Sequence, residues 1–197
     1  MKNLTTTFAA AATLAFASLA HAQNTATEVQ RNVNQQQRIE QGLQSGQLST
    51  REAAGLERGE ARIEKLEANA NRDGTLTPAE KARIQAAQNK ESARIKQART
   101  NERTGNPDSA SSRRMQADVQ RNVNQQKRIE QGVQSGQLTR HEAAKLERGQ
   151  SRVSAAEARA GADGHVGAAE QKAVQARENH QSARVYKEKH DAQVKPQ

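Results

Sequence analysis

The sequence predicts an all-α protein built from two tandem three-helix units. The chain overlays on itself at a shift of 90 residues: of the 34 positions in 29–62, 26 are identical in 119–152. The chain has no Cys or Trp and two Phe, and much of it is Ala, Glu, Gln, Lys and Arg, which are good helix formers. Two repeats of this length indicate two small domains rather than a solenoid of many units.

The first 22 residues are typical of a secretory signal peptide. Lys2 supplies a positive charge, a run of mostly Ala, Leu and Phe follows, and Ala20-His21-Ala22 has the small-residue pattern of a cleavage site. We expect cleavage after Ala22 and a periplasmic or secreted location in a bacterium. The apolar run is too short to span a bilayer stably, and we expect no transmembrane span in the mature chain.

Helix-capping and turn residues divide the rest of the chain. We assign repeat unit 1 to 27–100 and repeat unit 2 to 117–190, with a flexible linker at 101–116 that contains Gly105, Pro107 and a Ser cluster. In unit 1 the first helix ends near Ser45-Gly46, because Gly tolerates the left-handed conformation of a helix C-terminus. Capping boxes at 49–52 and 77–80 then begin the second and third helices.

One segment, 69–80, has the spacing of a calcium-binding loop. Such a loop needs oxygen ligands at positions 1, 3, 5, 7 and 9, Gly at position 6 and a bidentate Glu at position 12. Gly74 and Leu76 occupy positions 6 and 8. The segment resembles the EF-hand family over about 12 loop residues and their flanking helices. The resemblance assigns the Ca²⁺ ligands to Asn69, Asn71, Asp73, the Thr75 carbonyl, Thr77 and Glu80.

The loop departs from the family where Asn69 replaces the usual Asp, so only two carboxylates remain. Fewer charges weaken binding, and we expect a dissociation constant of about 10⁻⁴–10⁻³ M. An Asn/Asp-rich turn followed by a helix cap would give the same residues without an ion, and both interpretations stay open. Segment 159–170 is a degenerate copy with Arg159 and Gly161 at ligand positions. Segments 41–52 and 131–142 fit helix caps. We expect Leu48 with Leu76 in unit 1, and Leu138 with Val166 in unit 2, to join paired loops.

Both units contain the pattern S-G-x-L-[ST]-x-x-E-A-x-x-L-E. It is similar to the S-G-x-L-T-x-x-E-A-x-x-L-E pattern of uncharacterised proteobacterial exported proteins that carry signal peptides. That resemblance implies no activity. The chain contains no Cys, no H-E-x-x-H and no G-x-S-x-G, and we see no catalytic constellation. We therefore expect a protein that is not an enzyme.

The chain is basic, with 31 Lys and Arg against 22 Asp and Glu. The charges alternate at helical spacing, so we expect most of them to form solvated i,i+4 pairs. The excess could instead attract anionic polymers such as lipopolysaccharide phosphates, exopolysaccharide or released DNA. Dedicated nucleic-acid binding is disfavoured, because after the signal peptide only Tyr186 could stack on a base.

Two functional hypotheses follow. The first is a non-enzymatic exported helical protein that binds a divalent cation, Ca²⁺, weakly through 69–80. The second is a metal-independent periplasmic interaction or chaperone-like module whose partner is a protein or an anionic polymer. The ligand set of the loop matters only to the first.

Overall fold

The computed structural model describes the backbone of residues 12–191 and the side chains of residues 25–191. Within that range the chain forms six helices and no strand, which confirms the all-α prediction. The helices are α1 (Ala12–Gln44), α2 (Thr50–Ala70), α3 (Pro78–Thr100), α4 (Ala110–Gln134), α5 (Arg140–Ala160) and α6 (Ala168–Lys189). None of these described helices combines the length and the apolar character that a membrane crossing requires.

The helices differ from the predicted boundaries in two places, at the N-terminus and in the linker. Residues 1–11 of the predicted signal peptide lie outside the described residues, and 12–22 belong to α1. Of the predicted linker, 110–116 is helical, because the Ser109 hydroxyl caps α4 by accepting a hydrogen bond from the Ser112 N–H at 3.1 Å. The Gly105 N–H donates to the Gly46 carbonyl at 2.8 Å, so the shorter connection lies against unit 1.

The two repeats pack against each other through equivalent helices. The main helix pairs are α1 with α4 and α2 with α5, while α3 flanks α1 and α2, and α6 flanks α4 and α5. The pairs are antiparallel: a Cβ on Gly161 at the end of α5 would touch Thr50 and Ala54 at the start of α2. The repeats therefore share one central four-helix bundle.

Small side chains line the contact between α2 and α5. They recur every seven residues, a spacing that keeps them on one face of a helix. All are at most 9% exposed, which lets the two helices approach closely. They are Ala54, Ala61 and Ala68 on α2, and Ala144, Ser151 and Ala158 on α5.

The apolar core is split between the two ends of the bundle. One cluster includes Leu43, Leu56 and Ile95 of repeat 1 with Met115 and Val119 of α4. The second combines Ala26 and Val29 with Ile129, Val133, Leu138, Ala143, Leu146 and Val185. Both clusters draw on both repeats, so neither repeat encloses its own core.

Candidate functional site: a polar interior beneath a basic groove

Polar side chains fill the bundle between the two apolar clusters. On α2 the stripe consists of Glu57, Glu60, Glu64 and Glu67, whose 3-4-3 spacing places them on one helix face. All members of this interior layer are at most 3% exposed. The other helices add Asn32, Gln36, Asn122, Gln126, Glu147, Gln150, Ser154 and Glu157.

Amide groups from α1 and α4 donate hydrogen bonds to these carboxyl groups. The Gln36 amide donates to Glu57 at 2.9 Å, and the Asn32 amide donates to Glu67 at 2.6 Å. From the other repeat, the Gln126 amide donates to Glu64 at 2.9 Å. The interior acids are thereby held by neutral donors rather than by Lys or Arg, a weaker compensation for a buried negative charge.

Burial controls the protonation of this layer. Desolvation raises the pKa of Glu57 to about 7 and that of Glu147 to about 8, because the charged form loses its hydration. The pKa values of Glu60, Glu64, Glu67 and Glu157 lie well above the usual range for the same reason, and neighbouring acids raise them further. The nearby Glu57 carboxyl group is one of the neighbouring acids that raise the pKa of Glu157. Much of the interior acid is therefore uncharged at neutral pH.

The expectation of solvated i,i+4 charge pairs is wrong for the part of the chain that the structure describes. Arg94 pairs with Glu91 at 2.7 Å, three residues apart, and Arg121 pairs with Glu178 of another helix at 3.0 Å, so neither of these ion pairs has the i,i+4 spacing. The reason is that acidic and basic side chains lie on different faces of α2 and α5. Their carboxyl groups lie mostly on the face turned into the bundle, and most of their basic groups lie on the outer face.

The outer faces of α2 and α5 form a groove of about 610 Å³. Its floor is made of small side chains, Ala61, Ser151 and Ala155. Seven basic side chains line it, and no acidic side chain does. They are Arg58, Arg62 and Lys65 of α2, Arg148, Arg152 and Arg159 of α5, and Arg177 of α6.

Most of the seven basic side chains of this groove are exposed and make no hydrogen bond or ion pair with other described residues. Arg58, Lys65, Arg152 and Arg159 are exposed. Within residues 25–191 none of these four side chains donates a hydrogen bond or forms an ion pair. Since the acids on the inner faces are largely protonated, they do little to offset the positive charge outside. The groove therefore concentrates uncompensated positive charge along one side of the bundle.

The structure divides the six residues of the predicted calcium loop among different environments. Asp73 accepts hydrogen bonds from the N–H and hydroxyl of Thr75, both at 3.0 Å. Glu80 caps α3 by accepting from the N–H and hydroxyl of Thr77 at 2.9 and 2.6 Å. Asn69 and Asn71 lie apart from these two pairs. Asn69 lines the basic groove, and Asn71 is buried with its amide nitrogen on the Glu67 carbonyl at 3.1 Å.

Gly74 takes the left-handed conformation expected of loop position 6, with φ +80°. Hydrogen bonds within the turn and to the cap lower the pKa values of Asp73 and Glu80, so both are ionised at neutral pH. The other repeat brings a positive charge to the same turn, because the Arg140 guanidinium donates to the Gly74 carbonyl. Calcium binding by 69–80 stays a prediction.

The loops are neighbours across the repeats rather than within one. The His141 Nδ1 lies 3.1 Å from the Arg72 carbonyl, and the Arg51 guanidinium donates to the Asp163 carbonyl at 2.6 Å. Within a unit, the continuous 21-residue helix α2 separates the two turns by about 30 Å. In unit 2, Leu138 and Val166 lie in different core clusters, so the expected pairing of these two residues is wrong.

Comparison with known protein families, with curated proteins and with solved structures gives no match. Function is therefore inferred from the chemistry of the chain itself. The groove offers guanidinium groups, which bind phosphate and carboxylate oxygens with paired N–H donors. Seven basic side chains on three helices could engage several such groups of one ligand together.

Proposed function

We propose that this protein is a non-enzymatic, exported helical module that binds linear phosphate-bearing polymers in the groove between α2 and α5. The observation that carries the proposal is the lining of that groove, with seven basic side chains and no acidic one. The proposal corresponds to the second functional hypothesis, a metal-independent module with an anionic-polymer partner, and it assigns the binding surface to this groove. The cleavable signal peptide and the periplasmic or secreted location remain part of the proposal.

The arrangement of charges favours an extended ligand. Arg148, Arg152 and Arg159 follow one face of α5 over 11 residues, which is about 16 Å of helix. Arg58, Arg62 and Lys65 follow the opposite wall on α2. Small floor residues leave room for a chain of phosphates to lie between the walls. Six of the seven basic residues are Arg, whose planar fork suits phosphate oxygens.

The groove suits a phosphate backbone better than nucleobases. Recognition of single-stranded nucleic acid usually needs aromatic side chains on which bases stack. The groove lining contains none. Tyr186 is 61% exposed on α6, but its ring stacks on His190 with centroids 4.2 Å apart, and it does not line the groove.

The test is binding of inorganic polyphosphate to the full chain, followed by fluorescence anisotropy of a labelled polymer. The groove variant is Arg62→Glu/Arg152→Glu. The matched control is Lys96→Glu/Lys172→Glu, which makes the same change in net charge on exposed positions of α3 and α6 outside the groove.

We expect the groove variant to bind at least about tenfold more weakly and to show a shallower dependence of log K on log salt, by about 1 per lost phosphate contact. The control should stay within about threefold of wild type, since distant exposed charges are screened at physiological salt. Equal losses in both variants would show attraction to net charge alone. That result, or no binding by wild type, would overturn the proposal.

A further inference from the structure

We propose that repeat 2 carries a divalent-cation site where α5 begins and α6 ends, formed by Glu142, Glu188 and Asp191. One carboxylate oxygen of each residue lies within 4.8 Å of those of the other two. No other group of three acidic or histidine side chains this close occurs in the part of the chain that the structure describes. The site is separate from the basic groove and from loop 69–80, so it does not depend on the proposed function.

Glu142 brings an unpartnered buried oxygen to this corner. The residue is 1% exposed. Its Oε2 accepts hydrogen bonds from the Thr139 N–H at 2.7 Å and hydroxyl at 2.8 Å, which completes the cap of α5. Its Oε1 has no hydrogen-bond partner. A buried carboxylate oxygen without a partner is costly, and a bound cation would remove that cost.

The equivalent corner of repeat 1, where α2 begins and α3 ends, has a neutral hydrogen-bond donor in place of the acidic side chains. Residue 52 is again a cap Glu, but position 98 is Ala and position 101 is Asn. The Asn101 amide donates to Glu52 Oε1 at 2.8 Å, so the oxygen equivalent to the unpartnered one is satisfied. Repeat 2 replaces this neutral donor with Asp191 and adds Glu188. Both changes put negative charge where repeat 1 has none.

The ligand chemistry favours a hard cation. Three carboxylates supply up to five oxygens if Glu188 and Asp191 bind in a bidentate manner, and water can complete the shell of Ca²⁺. The site lies at the carboxyl end of α6, where the helix dipole favours positive charge. Partly exposed carboxylates and flexible geometry correspond to a dissociation constant of about 10⁻⁴–10⁻³ M.

The test is calorimetric titration of the chelator-treated full chain with CaCl₂ and, separately, MgCl₂. The corner variant Glu188→Ala/Asp191→Asn gives repeat 2 the residues of repeat 1, which form a satisfied corner there, and far-UV circular dichroism checks its fold. Asp191→Asn alone is the second variant if the double variant does not fold. The loop variant Asp73→Ala/Glu80→Gln is the control for the other candidate cation site.

We expect the loop variant to keep one Ca²⁺ site per chain, Asp191→Asn to bind at this site at least tenfold more weakly, and the corner variant to bind one Ca²⁺ fewer than wild type. Calcium should also raise the melting temperature of wild type and leave that of the corner variant unchanged. Equal binding by wild type and the corner variant would overturn the site. So would loss of binding in the loop variant alone, or no binding by wild type at 10 mM Ca²⁺ (about tenfold above the weakest expected constant).

Discussion

Repeats 1 and 2 bury the same two residue types on their flanking helices, α3 and α6, but at exchanged positions. Where α3 meets the bundle, repeat 1 has Gln88 and Glu91; where α6 does so, the equivalent positions of repeat 2 hold Glu178 and Gln181. The Gln88 amide donates to Asn32 and Glu67, both at 2.9 Å. In repeat 2 the acid takes that place, and the amide of Gln181 donates to a backbone carbonyl instead.

The position of the acid decides which arginine forms an ion pair. Arg94 pairs with Glu91 in repeat 1, and Arg121 pairs with Glu178 in repeat 2. Their counterparts in the other repeat, Arg184 and Arg31, keep the remaining contact of each arginine, to a backbone carbonyl and to an Asn side chain respectively, but form no ion pair with a flanking acid. In both repeats the flanking helix, α3 or α6, therefore buries one acid and one amide, and these two residue types occur in opposite order along the two helices.

The largest effect should come from testing whether the repeats are one cooperative unit. Leu56 and Leu146 are equivalent, but they lie in apolar clusters at opposite ends of the bundle. Because both are at most 3% exposed, either Leu→Ala change should lower the free energy of unfolding by about 2–5 kcal/mol. Since each cluster draws on both repeats, each variant should shift one single transition in urea, followed by circular dichroism.

Tyr186→Ala is the control for this comparison, because the side chain is 61% exposed and surface substitutions change stability by about 0.5 kcal/mol or less. Two separate transitions, with each Leu→Ala variant moving a different one, would show that the repeats unfold independently.

The next effect concerns pH. Burial raises the pKa of Glu28 and Asp118, an equivalent pair, to about 7, and raises that of Glu147 to about 8. The folded chain therefore holds more protons than the unfolded chain between about pH 4.5 and pH 8. The free energy of unfolding should be highest near the acidic end of this window and fall as the pH rises through it.

Glu60→Gln sharpens this pH prediction, because repeat 2 already has Gln150 at the equivalent position. Both carboxyl oxygens of Glu60 are buried without partners, and burial raises its pKa well above the usual range. Gln150 donates to Asn122, and the introduced amide would find the equivalent acceptor in Asn32. We expect a gain of about 1–3 kcal/mol at pH 8 and almost none at pH 4.

Urea midpoints measured at pH 4, 6 and 8 would check both the wild-type profile and the variant. Glu102→Gln, at an exposed position in the connection between α3 and α4, should leave the profile unchanged. A wild-type midpoint that rises from pH 6 to pH 8 would contradict the protonated interior.

The sequence predicted where helices begin better than it predicted which helices pack against each other. The capping boxes at Ser49 and Thr139 begin α2 and α5 as expected, because a cap is a local signal. The acid stripe on α2 was expected to be solvated, since four Glu with nearby Arg residues are normally exposed. Its burial depends on the small residues beside it, Ala54, Ala61 and Ala68, which bring α5 close. That contact joins residues about 90 apart, and a local pattern cannot show it.

The candidate sites were missed for the same reason. The basic groove needs Arg62 and Arg152 on two helices of different repeats, and the acidic corner joins the start of α5 to the end of α6. One signal for the corner was present in the sequence: the change from Ala98 and Asn101 to Glu188 and Asp191 between otherwise similar repeats. Aligning the repeats for gained charges, rather than for identity, would have found it.

The smallest predicted effect compares the N-caps of α3 and α6. Thr77 caps α3 with its hydroxyl, which accepts a hydrogen bond from the Glu80 N–H at 3.2 Å. Gly167 is the N-cap of α6 and has no side chain to do so, although its φ of −75° suits any residue. A Cβ at Gly167 would be 3.3 Å from the Glu170 carboxylate, a tight contact that a small shift of this exposed, flexible side chain relieves.

Gly167→Thr should therefore raise the free energy of unfolding by a few tenths of a kcal/mol, and Thr77→Gly should lower it by a similar amount, since Gly is only slightly worse than Thr as an N-cap. Matched thermal melts of the two variants and of the double exchange would measure this. Because the caps lie in different repeats of one cooperative bundle, their effects should add and nearly cancel in the double variant. A double variant whose melting temperature differs from wild type by more than either single change would mean that the two caps are coupled through the loops that join the repeats.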